Sequence, residues 1–490
     1  MKRLTGALIA FAFMISSVSP AFADASSDMM SMLESMKQQM NQMQSTIQQQ
    51  SARIEELESR KPVEMQGPSA PAQPAQLSEA DWQKGIKDNI GEAIPWMKGA
   101  KYSGDFRLRY EAFQYSDNDE EANIASDRTR NRFRIRLRWG FEKDYGDDWK
   151  VGFRLASATS ASGQATDNAS TNVTLGNPGQ FTFKNIFIDR AYALYSPNGL
   201  KDYGPIKGVT IGAGKVDNPF LRYSTTIMWD SDVTPEGIYE KVNFQLVSTE
   251  NDKLNFYGLA GQFITNENSG VDTDAGLYGY QGALNWSTYG FNTDQPVDFT
   301  GAVSFYEATE WSQLTATTAN STGVSFLRTN TLAADNFRII DFYPEIQVYV
   351  LDRKPLTLWY NYVKNLGNVG TENVALTSGN DIHDQDVAWG LGVKLGKAKK
   401  KGDWEAFYGY YEIGANSVLA AFNDSDFGGP GGVGHTNRQG HKFGLGYSLT
   451  DAIMVNWTGY VVTPLNPNSA VASSLNETVF RSQADLSYKF

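Results

Sequence analysis

The chain has 490 residues, no cysteine, a formal charge of −12 and a hydrophobic content of only 41%. Without thiols there are no disulfides, thiolate metal sites, c-type haem attachment or cysteine nucleophiles, and the acidic balance argues against a nucleic-acid partner, which needs a basic excess to neutralise phosphate. Mean hydropathy is −0.41 and no segment beyond the N-terminal region supplies the roughly 20 apolar residues of a membrane helix, yet a β-barrel hides its lipid face by alternation and tolerates so polar an average.

Residues 1–23 read as a Sec signal peptide. Lys2 and Arg3 are its positive region, Leu4 to Val18 its apolar core, and Ala21-Phe22-Ala23 its cleavage site, with cleavage expected before Asp24. A membrane anchor fits less well, because the apolar run is short and ends in a processing site. Residues 24–61 carry a 4-3 apolar seam of Met29, Leu33, Met36, Met40, Met43, Ile47, Gln50, Ile54 and Leu57 among Gln, Ser, Glu, Lys and Arg. That spacing predicts a heptad coiled coil, with Gln50 as the polar position that fixes register. The alternative is an amphipathic helix packed on its own barrel; the narrow seam favours self-association. Residues 62–98 are a linker in which Pro62, Pro68, Pro71 and Pro74 favour extended chain, followed by a short helix over 78–94 with Ser78 as N-cap and Pro95 as its stop.

From 99 to 490 the apolar period becomes two. Sixteen strand-like segments begin near residues 101, 127, 149, 181, 207, 236, 253, 276, 296, 335, 355, 384, 401, 437, 451 and 475. Tight connections such as Tyr145-Gly146-Asp147-Asp148, Glu250-Asn251-Asp252 and Asp352-Arg353-Lys354 alternate with long ones. The expected fold is all-β, a sixteen-stranded antiparallel transmembrane barrel with short turns and both termini in the periplasm and long loops outside. Sixteen strands enclose an aqueous lumen. A propeller or sandwich would alternate similarly but would explain neither the short-long connections nor the last strand. There Phe480, Ala484, Leu486, Tyr488 and Phe490 share one face, while Arg481, Gln483, Asp485 and Lys489 share the other.

The strongest chemical pattern is Arg130, Arg132, Arg134, Arg136 and Arg138 alternating with Phe133, Ile135, Leu137 and Trp139. An arginine facing lipid at mid-bilayer costs roughly 2–4 kcal/mol, so the arginines are expected to face the lumen, about 7 Å apart along the strand. Arg107 and Arg109 precede them and Arg154 follows, which builds one positive wall from three strands. Asp105 and Glu111 supply part of the counter-charge. The third long connection carries Asp217-Asn-Pro-Phe220 and Trp229-Asp230-Ser231-Asp232, ending in Glu236.

Together the signal peptide, the heptads of 29–57, the arginine strand, this acidic connection and the terminal Phe490 resemble trimeric Gram-negative porins of the type with an N-terminal coiled coil ahead of the barrel. The resemblance implies an outer-membrane homotrimer that passes small hydrophilic solutes or ions, contacts lipid and lipopolysaccharide, and needs no cofactor. It also implies that the third loop folds inward, so that Asp230, Asp232 and Glu236 face the arginine wall across a constriction and set a transverse field. Phosphate-selective porins use lysine-rich inward loops, and this acidic loop departs from that pattern. The coiled coil is expected in the periplasm, with a periplasmic or cell-wall contact as its further role. Three rivals stay open: an anion- or substrate-specific channel; an envelope tether or barrel sheath for an electron-transfer complex; and a barrel hydrolase using His441, which with His383 and His435 makes up the three histidines of the chain. The acidic loop from Ser116 to Glu121 is read as solvated rather than as a divalent-cation site.

Overall fold

The structure is a computed structural model. It describes residues 99–490 apart from 117–128, 162–163, 166, 178, 221–226, 268–273, 292–294, 311–329, 331–336, 352, 368–384, 429–435 and 466–477. The expected signal peptide, coiled-coil seam, linker and short helix lie outside the described residues, as do His383 and His435.

Sixteen long strands follow one another: β1 (Lys101–Ser116), β2 (Thr129–Tyr145), β3 (Trp149–Ser157), β4 (Ile186–Tyr195), β5 (Ile206–Lys215), β6 (Glu236–Ser248), β7 (Asp252–Asn266), β8 (Ala275–Thr288), β9 (Val297–Thr309), β10 (Phe337–Val350), β11 (Lys354–Asn365), β12 (Val387–Gly396), β13 (Trp404–Ile413), β14 (Arg438–Ser448), β15 (Ile453–Pro464) and β16 (Thr478–Lys489). Each pairs antiparallel with the next, and β1 pairs with β16, which closes the barrel. Every expected segment start falls within five residues of an observed strand start. The connections 146–148, 249–251, 351–353 and 449–452 are tight and lie at one end. The longest, 158–185, 216–235, 310–336, 366–386 and 414–437, lie at the other.

Alternation decides which way each strand faces. In β2, Phe133, Leu137 and Trp139 are exposed on the outer surface while Arg134 is buried inside. In β16, Phe480, Leu486 and Tyr488 are outside and Arg481 and Gln483 are buried inside. An apolar outer row and a polar inner row are what a wall between acyl chains and water requires. The seam is completed beyond β16: the Gly104 amide donates to the Phe490 carbonyl at 3.0 Å, and the Phe490 amide returns a bond at 3.2 Å. A Cβ on residue 104 would overlap the Arg138 carbonyl oxygen and stand 2.5 Å from the Phe490 ring, and the backbone oxygen cannot move aside, so glycine is required there.

The barrel is not an empty tube. Toward the long-loop end the inner faces of β7 to β13 are apolar, with Phe263, Leu277, Tyr306, Phe337, Ile339, Val363 and Ile413 buried. These residues pack against Phe220, Ile227, Met228 and Trp229 of the connection 216–235 and against Val418, Leu419 and Phe427 of 414–437. Two loops therefore fold into the lumen, and their apolar residues cover one side of it.

Candidate functional site

The opposite side of the lumen is charged. Pairing of β1 with β2 sets Arg109 opposite Arg134 and Arg107 opposite Arg136. Pairing of β1 with β16 sets Arg109 opposite Asp485 and Glu111 opposite Gln483. All of these share the inner face, so like charges stand beside each other on neighbouring strands and require counter-charge. Arg109 makes a two-pronged contact with Asp485 at 2.7 and 2.8 Å. Arg136 and Arg138 share Asp105, at 2.7 and 2.6 Å. Fully buried Glu111 accepts from Arg132, from Arg481 Nε at 2.8 Å and from Gln483 at 2.8 Å. The Arg132 and Arg481 guanidiniums also lie 5.2 and 4.9 Å from the centre of the Phe113 ring, a cation–π arrangement inside the barrel.

The loops complete the pairing. Connection 216–235 enters the lumen because Phe220 fits a hole in the wall. Gly261 and Gly279 face each other across β7 and β8, and a Cβ on Gly279 would overlap the Phe220 ring. Phe220 stacks on Trp229, meets Phe263 and Tyr306 edge-on, and Trp229 Nε1 donates to the Tyr306 hydroxyl at 3.2 Å. Beyond this anchor the chain reads Asp230-Ser231-Asp232. The Asp232 amide donates to Asp230 Oδ1 at 2.8 Å, which turns the backbone so that Asp232 meets Arg138 at 3.3 Å and Arg136 at 3.9 Å.

Connection 414–437 repeats the device. Its Asp424-Ser425-Asp426 makes the same turn, the Asp426 amide donating to Asp424 Oδ1 at 2.8 Å. Asp426 then meets Arg109 at 3.0 Å and Arg481 at 2.6 Å, while Asp424 meets Lys442 of β14 at 2.8 Å. The two hooks interlock. The Ser425 amide donates to Asp230 Oδ2 at 2.7 Å, the Asp230 amide donates to the Phe422 carbonyl at 2.6 Å, and the Phe422 and Trp229 rings stack. Burial alone would raise the Asp426 carboxyl, but Arg481 and Arg109 hold it well below the usual carboxylate range. Asp232 is lowered in the same way, burial being outweighed by Arg136 and Arg138.

A third loop, 158–185, lies against the wall with neutral groups. Its Val173–Thr174 pairs with Ile135 and Arg134 of β2. Asn172 Oδ1 accepts from Arg107 at 2.5 Å, and the Asn172 carbonyl and Ser170 hydroxyl each accept from Arg134 at 3.3 Å. Thr171 donates through its hydroxyl to Asp232 at 3.0 Å, which ties this strap to the first hook.

Of the residues singled out in the sequence, Arg107, Arg109, Arg132, Arg134, Arg136 and Arg138 share this wall with Asp232. Arg154 stands apart, paired with Asp189 on β4, and Arg130 is exposed toward the long-loop end. Asp230 serves backbone amides within the interlocked hooks. Glu236 opens β6 as an exposed residue and pairs with Lys215 at 2.7 Å, away from the arginine wall. His441 shares a hydrogen bond with the Tyr408 hydroxyl at 2.8 Å. Sequence reasoning missed Asp426, Asp424 and the roles of Arg481 and Asp485. The signal was present: Asp-Ser-Asp occurs in both inward loops, and Arg481 and Asp485 stand on the polar face of the last strand.

The family described as "Putative porin" matches residues 87–325 and 312–460. No curated protein matches the chain. Among solved structures, the high-pH structure of Pseudomonas putida OprB is similar over 84% of this chain and 97% of its own, at 11% identity and a TM-score of 0.46. A mutant of Rhodopseudomonas blastica porin is similar over 80% of this chain and 100% of its own, at 13% identity and a TM-score of 0.37. The two segments matched by the family run through most of the barrel, including the arginine strand and both inward hooks, and the chain belongs to this porin family, as an outer-membrane channel for passive diffusion.

Proposed function

We propose that small hydrophilic solutes and ions cross the barrel through a zone narrowed by two interlocked loops, 216–235 and 414–437, set against the arginine wall. The observation that carries this reading is the pair of Asp-Ser-Asp hooks, whose second carboxylates lie 3.3 Å from Arg138 and 2.6 Å from Arg481. Rows of opposed fixed charge across a narrow lumen order water and polar solutes and disfavour apolar ones. The channel needs no catalytic group, and the solute's own gradient drives it.

The rest of the chain fits this function as separate parts. Residues 1–23 direct export, 24–61 form a periplasmic coiled coil with Leu33, Met36, Met40, Met43, Ile47, Gln50, Ile54 and Leu57 in its seam, 62–98 link it, and 99–490 span the outer membrane. The coiled coil ties three copies together and reaches a periplasmic or cell-wall partner. Recording purified protein in planar bilayers with asymmetric KCl tests the channel directly. Stepwise conductance with an ohmic open state is expected; inserted protein that passes no current would instead make the barrel a tether or sheath.

A further inference from the structure

The wall's positive charge is matched unevenly. Seven guanidiniums share five carboxylates. The hook of 216–235 brings a carboxylate to Arg136 and Arg138, and the hook of 414–437 brings one to Arg109 and Arg481. Between those two places the loop 158–185 covers Arg107 and Arg134 with Asn172 and Ser170, which carry no charge. Neither arginine comes closer than 3.9 Å to a carboxylate. Their Nε atoms are buried and have no hydrogen-bond partner among the described residues, and Arg134 as a whole is 7% exposed.

An arginine stays charged at any physiological pH, and a buried charge without a partner is costly. Lost protons cannot relieve the surplus, so it must be met by something that comes to the site. A guanidinium presents a planar fork of N–H donors that matches two oxygens of a carboxylate or phosphate better than it matches a spherical ion.

We propose that Arg107 and Arg134, bridged by Asn172, bind a small oxyanion within the narrow zone. The strap fixes both forks: Asn172 holds Arg107 through its side-chain oxygen at 2.5 Å and Arg134 through its carbonyl at 3.3 Å. The site gives the channel a dwell point for permeating oxyanions that a purely screened arginine wall would lack. This inference rests on the channel reading only for the route by which the anion arrives; binding itself does not require conduction.

Two measurements keep the site and the channel distinct. Isothermal titration of detergent-purified full-length protein with inorganic phosphate, and separately with acetate, reads the site. KCl conductance in a bilayer reads the channel. Saturable binding of phosphate or acetate is expected, together with a saturable fall in chloride current when the same anion is added. Arg134→Lys keeps the charge and loses the fork, and should weaken binding at least tenfold. Asn172→Asp leaves both arginines in place and supplies a carboxylate from within, and should abolish binding and move the reversal potential in a KCl gradient toward cations. The inference is overturned if neither anion binds the wild-type protein, or if Asn172→Asp and Arg134→Lys bind as tightly as wild type. A protein that binds phosphate yet conducts nothing would retain the site and refute the channel.

Discussion

Truncating Phe220 to alanine tests whether apolar packing holds the first loop inside the lumen. Phe220 is 2% exposed, stacked on Trp229 and set edge-on to Phe263 and Tyr306. Removing a buried phenylalanine side chain typically costs about 3–5 kcal/mol. At about 1.4 kcal/mol per factor of ten, the ratio of docked to undocked loop should fall by about two to four orders of magnitude. The opposing tethers are the Asp232 contacts to Arg138, Arg136 and Thr171 and the Trp229–Tyr306 hydrogen bond. A hydrogen bond to a charged group contributes about 1.5–3 kcal/mol. The Asp232 end should therefore stay near the wall while the Phe220 end leaves its hole. Single-channel recording should show a larger mean conductance and more open-state noise, with the barrel's circular dichroism unchanged. Gly279→Leu fills the same hole from the wall side and should give the same phenotype. The double variant should add little, because both changes undo one contact. Conductance and noise identical to wild type in Phe220→Ala would show that packing at this hole does not hold the loop.

Asp426→Asn removes the carboxylate shared by Arg109 and Arg481. Breaking a buried pair on one side costs about 3–5 kcal/mol, so the second loop should loosen and the reversal potential in a KCl gradient should move toward anions; an unchanged potential would remove Asp426 from the constriction. The hooks should also resist acid. A carboxylate with a depressed pKa contributes stability that is present above its unfolded value, near 3.9 for Asp, and is lost only as pH falls through its lower folded value. Asp232 and Asp426 are both depressed, so the current–voltage relation should hold from pH 7 down to about 4.5, and a transition near pH 5 would contradict the pairing. If residues 24–61 tie three copies together as proposed, deleting residues 24–77 should leave an inserted, conducting channel whose oligomer dissociates at lower temperature on semi-native gels; loss of insertion would make this segment an assembly element instead.

The barrel was legible because the bilayer imposes period two on every strand. Phe133, Leu137 and Trp139 against Arg132, Arg134 and Arg136 leave one orientation that avoids placing charge in lipid. The strands that read less cleanly are those whose inner face is apolar too, such as β10 with Phe337 and Ile339 inside and Ile340 and Phe342 outside. Alternation fails there because the inner row packs on folded-in loops, a contact between segments far apart in sequence. The same distance explains the fate of Glu236. It follows the hook closely in sequence, but it opens a strand at the long-loop end and takes the nearest cation, Lys215, from the neighbouring strand.

The counter-charge to the arginine wall is distributed by topology rather than by sequence proximity. Asp485 is 376 residues from Arg109 and becomes its partner only when the last strand closes on the first. Asp426 lies 317 residues from Arg109 and reaches it only because its loop enters the lumen. The local part of the device is written in the chain, since Asp-Ser-Asp turns its own backbone whether it sits at 230–232 or at 424–426. One oxygen of the first aspartate accepts the bond that makes this turn, and the second aspartate points at guanidiniums. One acidic motif used twice, beside one neutral strap, therefore sets where the lumen is balanced and where it stays positive. The surplus at Arg107 and Arg134 follows from loop 158–185 presenting Asn172 and Ser170 at the place where its two neighbours present aspartate.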